Sequence, residues 1–373
     1  MAFVPYSSDL KRKKWMRQGL LQAASKSFWT PYTGMTSDSI VVQANNTNAA
    51  EGHTVVFDYD GNLAGKAVKG KDTAFGKGEQ KKKFSYKITV ERYRLVADNG
   101  DAFEGKDIGN LEITQHADSR EKLGDLFVRF KDQALFDAAQ GLKGSAPTHI
   151  LDLGTTFGYT ELLTIEEKLK NGAGFSTGGN RRPLQPFKLM DGRPVWLFVM
   201  DPSMSRMLKT SSNYQSLVYN ADVRGNDNRA IKGVFGKIGN LMLVEADSFF
   251  GATDATTTTW GLEANEVEIA GLRKKDAAGK WTGQTGYDGS GAVDLISRGL
   301  LLGANALQLG FGKMPDYKFQ ESEDFAIKSE SALETWMEVQ KTIMLAETDD
   351  YKQAKVAGID YGVIAVDVKT LDV

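Results

Sequence analysis

The chain has 373 residues, 41% hydrophobic and 25% charged, which is too polar for a membrane-spanning protein and long enough for two or three lobes. Its 39 glycines, 8 prolines and lack of cysteine exclude disulfides and cysteine metal sites, and fit a turn-rich, β-rich fold in a reducing cytosol. A formal net charge of −2 conceals segregation: residues 1–30 sum to +5, residues 66–94 to +7 and residues 315–373 to −7.

The N-terminus is basic through Lys11, Arg12, Lys13 and Lys14, without the apolar run of a signal peptide. A short amphipathic helix is expected over Leu20–Phe28, and the polar run through Asn45, Asn46, Thr47 and Asn48 reads as an extended arm. Thr54–Asp58 and Lys83–Val96 read as two strands, because Phe84, Tyr86, Ile88 and Val90 alternate with polar neighbours. Residues 59–82 between them hold Gly61, Gly65, Gly70, Gly76 and Gly78 among lysines, too few apolar groups for a private core, so they predict a long two-stranded loop reaching away from the body.

The spacing of Leu123, Leu126, Phe127, Phe130 and Ala134 predicts a helix from about Asp118 to Gln140, capped by Asp118 or Ser119 and ended by Gly141. Thr164–Lys170 reads as a second amphipathic helix. Gly172–Pro186 is a Gly- and Pro-rich connection at which a lobe boundary is expected. Beyond it, Val195–Val199, Leu241–Val244 and Leu300–Leu309, the last broken by Gly303, read as buried strands, with a helix over Ser203–Lys209. Trp336–Leu345 and Gly358–Val368 close the chain as further strands around an acidic turn at Glu347–Asp350.

Chemical motifs are few. Asp152-Leu153-Gly154-Thr155-Thr156 resembles the phosphate-binding turn of sugar-kinase and actin-like ATPases, with a faint second copy at Ile364–Thr370; its bland reading is a turn after the Ile150-Leu151 strand end. Gly286–Gly291 lacks the Gly-Lys-Ser/Thr of a P-loop. Asp58, Asp60 and Asn62 begin like a calcium loop, yet Leu63 stands where that loop needs glycine. His53, His116 and His149 are too scattered for zinc or triad chemistry. Trp15, Phe28, Trp29 and Tyr32 lie among the arm's cations, a pattern suited to nucleic acid or to anchoring on a neighbouring subunit. Two rivals to a structural role follow: a phosphotransferase centred on Asp152–Thr156, and a nucleic-acid-binding protein using the basic blocks.

In sequence order the segments resemble the major capsid proteins of N-four-type tailed phages, built on the Hong Kong 97 shell fold. Trp29–Gly34 followed by Ser39–Val42 is similar to the family's arm. Gly52–Phe57, Leu63–Asp72 and Gly78-Glu79-Gln80 are similar to its extended loop. Asp132–Asp137 resembles the end of the spine helix, and Trp196–Pro202 with Met207-Leu208 resembles the strand and helix opening the axial lobe. Ala230–Gly239, Leu302–Leu307 and Asp360–Val366 follow in order. Gln80 replaces the usual second glutamate after the loop, and residues 251–294 look like an insertion.

The resemblance implies an α+β fold with an N-terminal arm at 1–53, an extended loop at 54–96, a peripheral domain with the spine helix at 97–150, an axial domain at 151–312 and a return to the peripheral domain at 313–373. It implies no catalytic residue, cofactor or metal. The implied function is self-assembly, as hexamers and pentamers, into an icosahedral head enclosing double-stranded DNA. Implied partners are a portal, a scaffold or decoration protein and the packaged DNA by non-specific contact; the implied place is the virion, assembled in the host cytoplasm. An arm and a lysine-rich hairpin that cannot bury themselves also need partners on physical grounds. The inter-subunit contact candidates are Trp29, Lys66, Lys69, Lys81, Lys82 and Lys83, with Glu347, Asp349 and Asp350 as their acidic counterparts.

Overall fold

A computed structural model describes residues 27–45, 54–60, 67–78, 83–101, 111–141, 147–171, 184–190, 193–216, 236–246, 274–275, 281–282, 295–321, 328–344 and 359–370. The chain enters through a 3-10 turn at Thr30–Tyr32, then β1 (Thr33–Gly34), β2 (Val41–Asn45), β3 (Thr54–Asp60), β4 (Lys83–Thr89) and β5 (Glu91–Asp101), before helix α1 (Leu111–Gln140). Next come β6 (Ile150–Asp152), α2 (Tyr159–Asn171), β7 (Lys188–Met190), β8 (Arg193–Met200), α3 (Pro202–Thr210), β9 (Lys237–Ile238) and β10 (Leu241–Glu245). The small β11 (Lys274–Lys275) and β12 (Trp281–Thr282) precede β13 (Leu295–Leu302), β14 (Leu307–Glu321) and β15 (Lys328–Lys341). Finally come β16 (Ile343–Met344), β17 (Ile359–Asp360) and β18 (Val363–Thr370).

Two sheets organise these elements. The first runs β1-β2-β14-β15-β5; the second runs β6-β18-β13-β8-β10-β9, with β7 paired to β8. Alternation explains why the central strands of the second sheet are mostly apolar on both faces. Leu197, Val199, Leu300, Leu302 and Val363 face a core shared with α1 and the first sheet, whereas Trp196, Phe198, Met200, Leu301, Ile364 and Val366 face α2 and α3. A strand buried on both faces has no polar side to show.

Helix α1 covers one face of the first sheet, burying Leu123, Phe127, Phe130 and Ala134 against Leu95, Leu333 and Met337. It begins at Leu111, earlier than the expected Asp118, because residues 111–118 contain neither Gly nor Pro and the cap signals there are overridden. Its end is as expected: Gly141 takes φ +84 and its N–H donates to the Ala138 carbonyl.

Other boundaries differ from expectation. Lys83–Val96 is two strands, since Val90 leaves the ladder and buries its side chain with Val55, Phe57 and Ile88, carrying the chain from the loop hairpin to the first sheet. Ser27 and Phe28 are not helical; the rest of the Leu20–Phe28 helix lies outside the described residues, as do Asn46–Asn48, most of the 251–294 insertion and the acidic turn. The closing segment 313–373 also divides. β14 and β15 belong to the first sheet, but β18 pairs with β13 and β6 in the second, because Val363–Val368 is apolar on both sides and matches a sheet covered on both faces. The strands cross between sheets at Gly303–Ala306, where the Asn305 N–H donates to the Ser39 carbonyl at 2.7 Å and the Gly303 N–H to the Gly362 carbonyl at 2.9 Å.

Candidate assembly surfaces

The β3–β4 hairpin is seated at its base and bare at its tip. Thr54↔Thr89 through Asp60↔Lys83 pair in register. The inward residues Val55, Phe57, Ile88 and Val90 are buried, packed on Val42 and Ala44 of β2. Two glycines of β14 make this seat: a Cβ at Gly310 would lie 3.2 Å from Val55, and one at Gly312 would lie 2.8 Å from Val90. Residues 67–78, by contrast, are all exposed. Of the candidate lysines, Lys69 stands in that exposed tip and Lys83 opens β4; Lys66, Lys81 and Lys82 lie outside the described residues, as do Glu347, Asp349 and Asp350.

The arm is held by its own chain. Trp29 is fully buried, its ring centroid 4.9 Å from Phe136 and 5.2 Å from Phe28. That placement corrects its candidacy as an inter-subunit contact: the ring fills this chain's core, leaving no surface for a neighbour or a nucleic-acid base. Phe28 and Tyr32 are likewise packed against that core. Asp132 of α1 fastens the same turn, accepting 2.7 Å hydrogen bonds from the Ser27 hydroxyl and the Phe28 N–H. Burial pushes the Asp132 carboxyl above its ordinary range, against those hydrogen bonds and the neighbouring Lys131. Sequence reading missed Asp132 because its partners are 104 and 105 residues away.

Buried charges fasten neighbouring elements to one another. Arg298 of β13 and Asp367 of β18 are cross-strand partners, joined by two hydrogen bonds of 2.7 Å, with both side chains 1% exposed. Arg298 Nη1 also donates to the Gln140 carbonyl at 3.0 Å, meeting the negative end of α1. Lys341 donates to Asp360 at 3.0 Å, again fully buried, and Asp360 also accepts from the Thr148 N–H. Burial lowers both the Lys341 ammonium and the neighbouring His149. In the first sheet, Glu334 bonds Lys318 and Arg92, which hold its carboxyl down at about 2.

None of these groups forms a reaction centre. The Asp152 carboxylate accepts the Gly154 N–H at 2.8 Å in a self-closed turn at the sheet edge. Its faint second copy is β18, whose Asp367 is committed to Arg298. These placements give the ATPase reading no support. His149 is half-buried beside Asp360, while His53 and the His116 side chain lie outside the described residues. Among the described residues no three His, Cys, Asp or Glu side chains come together as a metal site, and no helix is long and apolar enough to cross a membrane.

The sequence model of a family described as phage capsid protein matches residues 3–162 and 152–370. No curated protein matches the sequence. Among solved structures, the capsid of Ralstonia phage GP4 is similar with a TM-score of 0.64 at 18% identity, over 93% of this chain and 92% of that one. The acid-stable capsid of Helicobacter pylori bacteriophage KHP30 gives 0.65 at 17% identity over 92% and 91%. The cyanophage Pam1 capsid asymmetric unit gives 0.61 at 14% identity over 99% of both chains.

Proposed function

The chain belongs to the phage capsid protein family, and from that premise we propose that it builds a closed icosahedral head from hexamers and pentamers of itself, by docking its loop and arm on neighbouring copies. It is a structural shell protein with the Hong Kong 97-like capsid fold, not an enzyme. The narrower reading adds an N-four-type tailed phage, assembly in the host cytoplasm, a portal, scaffold or decoration proteins, and double-stranded DNA held inside by non-specific contact.

The observation that carries this reading is the hairpin: a base packed on its own chain supports a tip, residues 67–78, that is exposed throughout. A segment so extended gains stability only from another molecule. Repetition of such heterologous contacts closes rings and shells, and many modest contacts add through multivalency.

Charge gives the contact direction. Residues 66–94 carry +7, and the acidic Glu347–Asp350 turn of a neighbour is its proposed counterpart. That turn belongs to the segment whose flanks, Ile343–Met344 and Ile359–Asp360, pair as β16 and β17. Exposed ion pairs contribute roughly 0–1 kcal/mol each, so they set rate and register more than affinity.

Deletion of Gly61–Gly78 tests the reading. The variant is expected to remain folded and soluble while forming no shells; normal particles from it would remove the loop from the mechanism.

A further inference from the structure

A phenylalanine side chain standing in water is one of the largest unclaimed sources of binding free energy a protein surface can hold. Phe75 is 94% exposed. A Cβ built on Gly70, Gly76 or Gly78 meets nothing within 4 Å, and at 94% exposure the Phe75 ring finds no socket among the described residues. The ring is nevertheless presented in a defined way. The Lys77 N–H donates to the Ala74 carbonyl at 3.2 Å, closing a turn in which Phe75 occupies the first corner and Gly76, at φ +83, the second. That is the arrangement of a type II turn, whose second corner needs a residue free to take positive φ. The turn fixes the backbone at its apex, so docking has only the two side-chain torsions of the ring left to order.

We propose that Phe75 is the apolar anchor of the inter-subunit contact, inserting into an apolar socket on a second copy of the chain while the surrounding lysines guide its approach. The proposal rests on the loop-docking reading above and assigns it a residue. A second copy is the occupant because the chain works as an assembly of copies, and because the phosphate surface of a DNA duplex gives a lone ring no apolar partner. The described tip carries Lys69, Lys71 and Lys77 against Asp72, so the socket's rim should be neutral or acidic. Truncating a hot spot of this kind weakens binding by at least about tenfold, whereas its polar neighbours matter little.

The experiment compares Phe75→Ala, Phe75→Leu and the Gly61–Gly78 deletion for shell yield by sedimentation and for melting of the unassembled subunit. Because the chain has no cysteine, Thr73→Cys, in the exposed tip with Phe75 kept, labelled with a thiol-directed benzophenone then reports what the tip touches. The expected results are at least about a tenfold loss of shells for Phe75→Ala, substantial recovery for Phe75→Leu, unchanged subunit melting, and cross-links to another copy in shells only. Wild-type yield from Phe75→Ala overturns the anchor; the deletion then separates the two claims, since its failure to assemble keeps loop docking and its success removes that as well. A lowered subunit melting temperature for Phe75→Ala, or cross-links to DNA or within one chain, also overturns the anchor.

Discussion

Replacing Asp367 by Leu should be among the most damaging single changes to the subunit, although the two side chains differ little in size. Asp367 and Arg298 are each 1% exposed and joined by two 2.7 Å hydrogen bonds. Removing the carboxylate strands a guanidinium in the core, a change that costs about 3–5 kcal/mol. Removing both charges, as Arg298→Met with Asp367→Leu, leaves no stranded ion and should recover most of that loss. Recovery should stop short of wild type, because Arg298 also donates to the Gln140 carbonyl at the end of α1. An unsatisfied buried acceptor there costs about 1–3 kcal/mol. Urea unfolding of the unassembled subunit provides the three values, and far-UV circular dichroism checks that each variant folds. A loss below about 1 kcal/mol for Asp367→Leu, or a double variant as unstable as the single, would refute the assignment of this pair as the clamp between α1 and the second sheet.

Three further outcomes are expected. Phe130 is buried on the inner stripe of α1 with its ring 4.9 Å from Tyr93, so Phe130→Asp should cost several kcal/mol and abolish soluble yield; wild-type yield and melting temperature would show the stripe to be misassigned. Glu334 titrates near 2 against an ordinary 4.5. Its stabilisation is therefore complete above about 4.5 and lost as pH falls toward 2; with half-exposed cationic partners it amounts to about 1 kcal/mol, and Glu334→Gln should flatten that part of a stability-against-pH curve. Changing Lys81, Lys82 and Lys83 together to Glu should slow assembly, with reversals at Glu347, Asp349 and Asp350 restoring part of it; an unimpaired triple variant would deny the loop's charge any role, and failure of rescue would deny only the partner patch.

The fold was legible in sequence where one element carried its own signal. Leu123, Phe127, Phe130 and Ala134 mark the inner face of α1, and Val195–Val199 reads as a strand buried on both faces because both of its faces are in fact covered. The loop was legible for the opposite reason, a shortage of apolar residues between two strands. What sequence could not show depends on distant partners. Trp29 looked like a surface anchor among cations, but Phe136 and Asp132, more than a hundred residues on, draw its turn into the core. The Arg298–Asp367 and Lys341–Asp360 pairs join residues that only the completed sheets bring together. Val363–Val368 has the pattern of a strand but no local sign of which sheet it enters; pairing with β13 decides that. Phe75, one aromatic in a polar loop, gains meaning only from its exposure and its turn.

The central claim, that this chain works by assembling with its own copies, is tested most directly by electron microscopy of the purified full-length protein beside its size distribution in solution. Shells, rings or curved sheets of regular subunits are expected, and they should disappear when Gly61–Gly78 is deleted. Small monodisperse particles, in the presence of the other head components of its phage, would contradict it.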